Sequence, residues 1–183
     1  MKKLSLIITL LSAVLLLQNC KKDSITETVT SSNTLFAVIN DTTWSADTIK
    51  AAMVYNSLSK TKVLTCTGIA KNKEVNFMVT QPTAINTTGF PLSTFNADAA
   101  GTITFSYFAA ATANNFVQQG TVAPGSGTIS FTAIDSVKRQ VSGTFSFISE
   151  KNNLDKDGNI ISVTINEVSA GAFNILPYTF SSN

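Results

Sequence analysis

The sequence predicts an all-β protein, either an antiparallel β-sandwich or a partly open barrel of short strands. Apolar and polar residues alternate with a period of two along most of the chain, as they do on strands that bury one face. Charged residues make up only 13% of the sequence. Thr, Ser and Asn supply the polarity instead, and these residues suit half-buried strands and turns. No window of helical length combines an apolar stripe with capping residues.

The chain divides into an export signal, a tether and one domain. Lys2 and Lys3 make the start of the chain positively charged. The apolar run that follows, over residues 4–17, is shorter than the roughly 20 residues that a membrane-spanning helix needs. The sequence therefore predicts a signal peptide over 1–19. A lipidated cysteine with a Ser- and Thr-rich flexible tether follows over 20–33, and a single β-rich domain occupies 34–183.

The end of the apolar run, Leu17-Gln18-Asn19-Cys20, resembles the lipobox of bacterial lipoproteins, in which an aliphatic residue stands three places before a cysteine. The resemblance implies that the Cys20 thiol carries a diacylglycerol, that cleavage precedes it, and that the new amino terminus is acylated. The implied partner is a membrane in the cell envelope, the outer membrane, with a periplasmic or a surface-facing domain. An ordinary signal peptide with a chance cysteine and an uncleaved anchor helix are the alternatives.

The predicted strands begin with the apolar segment 35–39. Two more, 63–69 and 75–80, flank a turn at 71–74. Three segments then share one form, in which Gly, Ile or Phe, and a final Phe fall on one face and two hydroxyl residues on the other. They are GTITF at 101–105, GTISF at 127–131 and GTFSF at 143–147.

The last two of these segments are predicted to form a hairpin around the polar link 135–139. A turn is predicted over 150–159, because Asp157-Gly158 is a strong turn signal. Ile161, Val163 and Ile165 then alternate again as a strand. Pro177 fits an edge strand or the start of a strand, since proline cannot donate to a sheet.

The segment FAVINDTTWSA at 36–46 looks like the opening of a group of uncharacterised Bacteroidota lipoproteins, Phe-x-Ala-x-(Ile/Val)-(Asn/Asp)-Gly-x-x-Trp-x-Ala. Residues 126–129 and 141–147 resemble the closing hairpin of that group. The chain departs from the pattern at Asp41, where Gly is usual. The resemblance implies a β-rich envelope domain, and it gives no indication of an activity.

The composition argues against several classes of function. Removing Lys2 and Lys3 with the signal peptide leaves 11 basic residues of the 13, which equals the 11 acidic ones, so nucleic-acid binding is not expected. The chain has no histidine, which argues against Ser-His-Asp triads, Cys-His pairs and His-ligated metals. We expect no enzyme activity and no cofactor, and Cys66 is expected as a small apolar residue inside a strand.

One loop and one aromatic residue are candidates for ligand binding. Asn153, Asp155 and Asp157 copy the start of an EF-hand-like calcium loop, but its twelfth position is Thr164 instead of a bidentate Glu, and a plain turn is favoured. Trp44, the only tryptophan, could stack on a sugar ring, although packing in the core is favoured.

Four hydroxyl residues follow an aspartate in a pattern that resembles the acceptor of Bacteroidota O-glycosylation. They are Ser24, Thr42, Thr48 and Ser136.

The function expected from these observations is a membrane-anchored, non-enzymatic binding module for a glycan or a partner protein. The alternative is a structural or accessory envelope lipoprotein without a ligand of its own. An exposed aromatic cluster around Trp44 would favour binding, whereas buried aromatic residues would favour scaffolding.

Overall fold

The protein is described by a computed structural model over residues 34–112 and 115–183. It is all-β, as predicted, and consists of two six-stranded sheets that form a sandwich without closing into a barrel. The predictions for residues 1–33, which include the signal peptide, Cys20, the tether and Ser24, lie outside the described residues. No helix in the described part could cross a membrane.

Sheet 1 contains, in spatial order, β2 (Thr42–Ser45), β1 (Thr34–Ile39), β11 (Ile160–Pro177), β10 (Gln140–Leu154), β9 (Gly127–Asp135) and β6 (Thr94–Asn96). Sheet 2 contains β12 (Thr179–Ser182), β3 (Thr48–Asn56), β4 (Thr61–Ala70), β5 (Lys73–Pro82), β7 (Ile103–Thr112) and β8 (Asn115–Gln118). Neighbouring strands are antiparallel except for β12, which pairs in parallel with β3. The edge strands are short, which limits unwanted pairing at the sheet edges.

Phenylalanines from both sheets fill the centre of the sandwich. Phe77 of β5 lies 5.7 Å from Phe145 of β10 and 5.3 Å from Phe173 of β11, measured between ring centroids. Phe105 of β7 stacks on Phe147 of β10 at 5.3 Å. Such offset and tilted pairs contribute beyond the area that they bury. The inner faces of the two sheets therefore form one continuous core.

The three similar segments bury their Ile and Phe side chains as predicted. These side chains are Ile103, Phe105, Ile129, Phe131, Phe145 and Phe147. The last two segments pair as β9 and β10, which confirms the predicted hairpin. Close packing requires a glycine at position 143, because a Cβ there would clash with the Ser130 carbonyl oxygen. Gly101 differs, because it lies in the turn before β7.

The β1–β2 hairpin explains why Asp41 can stand where the opening that this segment resembles has Gly. Asn40 and Asp41 form its two-residue turn and have positive φ angles of 49° and 60°. A turn of type I′ requires positive φ at both positions, and Asn and Asp tolerate it better than other residues with a Cβ. Asp41 can thus replace the usual Gly.

Two predictions about the end of the chain are wrong. The turn predicted over 150–159 is shorter, because β10 continues to Leu154 and only residues 155–159 connect it to β11. Pro177 lies neither in an edge strand nor at the start of a strand. It ends β11, an interior strand, at the last pair of the ladder with Gln140. The Tyr178 N–H donates to the Arg139 carbonyl at 2.9 Å, so the nitrogen of Pro177 faces away from β10. Proline is tolerated there because the described part of β1 begins opposite Asn174 and pairs with no residue of β11 beyond it.

Candidate interaction surface on the β10–β11 arm

The β10–β11 hairpin extends beyond the other strands of sheet 1. Strand β9 stops pairing with β10 at Phe147, and β1 stops pairing with β11 at Val168. The remaining two-stranded ribbon, residues 148–167, is called the arm below. From Val168 to its turn the arm is about 26 Å long, at 3.3 Å per residue.

The outer face of the arm, which points away from sheet 2, carries a row of exposed aliphatic side chains. Ile148 is 41% exposed, Ile161 67%, Val163 49% and Ile165 61%. Cross-strand pairing places Glu150 opposite Ile165 and Asn152 opposite Val163 on this face. The arm, with Leu154 and Ile160 near its turn, holds six of the twelve exposed large hydrophobic residues of the described chain. Contiguous apolar surface of this kind marks interaction sites.

The inner face of the arm is polar. Asn153 donates from Nδ2 to Ser162 Oγ at 3.0 Å and to Thr164 Oγ1 at 2.9 Å. In the sandwich, the buried side chains of the same strands lie on this inner side, as Phe145 and Phe147 do. The arm therefore reverses the usual distribution, with polar residues on the core side and aliphatic residues outside.

A buried polar network ends the core at the base of the arm. The Gln119 carbonyl oxygen accepts hydrogen bonds from Ser149 Oγ and from Asn166 Nδ2, both at 3.0 Å. Asn40 donates from Nδ2 to Asn166 Oδ1 at 3.1 Å and accepts at Oδ1 from the Glu167 N–H at 2.9 Å. Ser149 is fully buried and Asn166 is 6% exposed. Buried polar groups that find partners in this way fix a single local geometry.

Gly120 allows the adjacent segment to approach the arm closely. The backbone of Thr121 forms a bridge to Glu150, with both hydrogen bonds at 2.9 Å. A Cβ on Gly120 would lie 2.4 Å from the Glu150 carbonyl group, and the φ angle of Gly120 is 104°. Because this φ and this approach both require glycine, the position contributes to the placement of the arm.

The candidate calcium residues form the turn at the end of the arm. Asp155 accepts hydrogen bonds at Oδ1 from the N–H groups of Asp157 and Asn159, both at 2.8 Å. The hydrogen bond from the Asn159 backbone is the main cause that holds the pKa of Asp155 below its ordinary value. This is the geometry of a capped turn. No group of three His, Cys, Asp or Glu side chains that could hold a metal ion occurs in residues 34–112 and 115–183.

Trp44 is 5% exposed and packs inside the sandwich, where a Cβ on Gly68 would lie 2.9 Å from its ring. Trp44 therefore packs in the core, as the sequence analysis favoured, and a buried ring offers no face to a sugar. Its Nε1 has no hydrogen-bond partner in the described part of the chain. Every aromatic side chain of the chain is buried or half-buried.

The suggested modification sites do not form one cluster. Thr42 begins β2, Thr48 begins β3 and Ser136 lies in the β9–β10 turn, and all three are exposed. Cys66, by contrast, lies inside β4 and is 1% exposed. Burial raises the pKa of its thiol to about 12, so the thiol stays protonated and unreactive at neutral pH.

Comparison with known protein families assigns the chain to one of them. The family described as "Domain of unknown function (DUF6252)" matches residues 31–177. The chain belongs to this family. The DUF6252 match includes β1 to β11 and ends at Pro177, before β12. No curated protein and no solved structure matches the chain significantly.

Sequence reasoning missed the arm and its base. The alternation of Ile161, Val163 and Ile165 predicted a strand, but alternation does not show whether the apolar face is covered. Nothing in the sequence indicated that Asn40 and Asn166 would meet. The one available signal was the length of the β10–β11 hairpin. It was overlooked because the polar residues 150–154 hid the continuation of β10.

Proposed function

We propose that this protein is a lipid-anchored, non-enzymatic binding module of the bacterial cell envelope, and that it binds a partner protein through the outer face of the arm. The single observation that carries this proposal is the exposed aliphatic row of Ile148, Ile161, Val163 and Ile165. Burying such side chains stabilises a complex by roughly 25 cal/mol for each Å² removed from water.

The chemistry of the surface favours a protein over a glycan. Sugar rings are commonly bound by stacking on exposed aromatic faces, and every aromatic residue here is at least half-buried. Aliphatic β-branched residues have no such face, but they pack well against another strand or helix. The burial of Trp44 thus argues against a glycan, and by the criterion drawn from the sequence it favours the scaffolding alternative. The exposed aliphatic row of the arm, which that criterion did not include, is what favours binding of a protein.

The charge and position of the arm disfavour a lipid surface as its occupant. The arm carries four acidic residues (Glu150, Asp155, Asp157, Glu167) and two basic ones (Lys151, Lys156), a net charge of −2. Anionic membranes attract basic segments instead. Moreover, β1 begins at Thr34 opposite Asn174, at the end of β11 that is remote from the arm.

The anchor in this proposal is the lipid on Cys20 at the outer membrane. Two acyl chains already suffice for stable attachment, and a lipidated, acylated cysteine carries three. Labelled palmitate should be incorporated into the wild-type protein and not into Cys20→Ala. Incorporation into Cys20→Ala, or none into either, would contradict the anchor.

Glycosylation of Thr42, Thr48 or Ser136 is compatible with this proposal, because these hydroxyls are exposed and none of them belongs to the aliphatic row of the arm. The intact mass of the protein from its native cells tests it. Increments of sugar size are expected, and a mass explained by the lipidated chain alone would remove the idea.

Site-specific photo-crosslinking in intact cells tests the binding role. A photoreactive residue at Ile161 should give a defined adduct with an envelope protein. The same residue at Thr65, an exposed position on β4 of sheet 2, is the control and should give none. Equal labelling from both positions, or no adduct from Ile161, would contradict the proposed function.

A further inference from the structure

The edge of β11 along the arm has no partner strand in the described part of the chain, and its sequence is uncharged and nearly palindromic. Residues 160–166, IISVTIN, contain no charged residue, no Pro and no Gly. Exposed edges are usually protected by Lys, Pro, a bulge or very short length. This edge has no Lys and no Pro, and its one register irregularity, at Ile161, lies at the end next to the turn. Among the strands of residues 34–112 and 115–183, only β10 pairs with this part of β11, on its other side. From these features we infer that the partner of the arm is a second copy of this chain, paired antiparallel along β11 about a twofold axis at Val163.

The sequence symmetry of the segment supports a second copy over an unrelated strand. Twofold antiparallel pairing about Val163 sets Ile161 against Ile165 of the other copy and Ser162 against Thr164. An aliphatic residue then faces an aliphatic one, and a hydroxyl faces a hydroxyl. Both kinds of cross-strand pair stabilise a sheet, and no like charges meet. An isologous interface needs this self-complementarity.

The backbone is oriented for the same pairing. Glu167 directs its C=O and N–H away from β10, since it accepts from the Asn40 N–H and donates to Asn40 Oδ1. Because these groups alternate along a regular strand, Ile165 and Val163 present theirs to the same free edge, and the alternation ends at the irregularity at Ile161. Pairing about Val163 would give each of these groups a partner.

The competing edge of the arm fits a second copy less well. On β10 the unpaired residues are 151–154, a shorter segment that includes the charged Lys151. Twofold pairing there would bring lysines near each other. The charge distribution and the length of the edge therefore both select β11.

The interface is small. Stable complexes usually bury about 1,200 Å² or more, and one seven-residue ladder provides less, so we expect pairing at the high local concentration of a membrane surface. This inference rests on the proposed function, because it names the partner of the arm.

Disulfide crosslinking of the full chain in its native cells tests the axis. Paired residues lie about 5.5 Å apart between Cα atoms, within the range that a disulfide spans. Val163→Cys should therefore form a reducible homodimer. Ile161→Cys and Ile165→Cys should not do so alone, but should crosslink to each other when coexpressed.

Asn152→Cys is the matched control, since Asn152 is the β10 partner of Val163 on the same face. Its two copies would be three strand spacings, about 14 Å, apart and should not crosslink. The wild type controls for Cys20 and Cys66. The absence of a Val163→Cys dimer, or equal dimerisation of all four single variants, overturns the inference.

The photo-crosslinking experiment separates this inference from the proposed function. An Ile161 adduct with a different protein, together with no Val163→Cys dimer, overturns self-pairing and leaves the binding role standing. Failure of both experiments overturns both. A Val163→Cys dimer with the coexpression pattern above supports both.

Discussion

Asn40 and Asn166 are 126 positions apart in the chain and share a side-chain hydrogen bond of 3.1 Å at the base of the arm. Through Gln119, the same network reaches sheet 2, because the Gln119 N–H donates to the Tyr107 carbonyl at 2.8 Å. A few polar side chains thus connect both sheets at the point where the arm begins.

Asn166→Ala should destabilise the protein by about 2 kcal/mol, because it removes buried hydrogen bonds and leaves partner groups unsatisfied. The control is Asn153→Ala, which removes the partly exposed hydrogen bonds to Ser162 and Thr164 and should cost less than about 1 kcal/mol. Urea unfolding of both variants measures the difference. Equal losses would show that the network does not stabilise the base of the arm.

Gly120→Ala should cost more than about 3 kcal/mol, because it combines a positive φ with a clash against the Glu150 backbone. Gly125→Ala is the matched control. Gly125 also has a positive φ of 81°, but nothing lies within 4 Å of its Cβ position. A cost near 1 kcal/mol is therefore expected there. Thermal unfolding at one scan rate compares the two, and similar shifts would refute the role of the close approach.

Phe173→Ala should destabilise the protein by about 3–5 kcal/mol. Phe173 is fully buried and its ring contacts those of Phe77, Phe131 and Phe145 from both sheets. Phe36→Ala, at a half-buried position of β1, should cost clearly less. Denaturant midpoints at an unchanged m-value test this prediction, which would be contradicted by a loss below 1 kcal/mol for Phe173→Ala.

The Cys66 thiol should make stability fall at alkaline pH. Its folded pKa of about 12 is above the unfolded value of about 8.5, so the unfolded state loses its proton first. The stabilisation is complete below pH 8.5 and disappears as the pH rises towards 12. Between pH 7.5 and 10.5 the wild type should lose about 3 kcal/mol more than Cys66→Ala. Parallel pH profiles for the two proteins would disprove the assignment.

The fold was predictable where local patterns decide it. Alternation predicted the buried faces of β9 and β10, and the polar link 135–139 predicted their hairpin. The arm was not predictable in the same way, because Ile161, Val163 and Ile165 show the pattern of a covered strand. Whether such a face is covered depends on where β1 and β9 end, and that is a property of the whole sheet. Trp44 shows the same dependence, since its burial follows from the packing of β2 over β4.

The position of Thr34 determines how a paired molecule would sit in the envelope. Thr34 lies opposite Asn174, eleven residues along β11 from Val163. Head-to-head pairing about Val163, as inferred above, would therefore set the two Thr34 residues about 70 Å apart. With the proposed lipid anchor on each copy, a pair in one bilayer would lie along its surface, whereas a pair standing upright would join two facing bilayers.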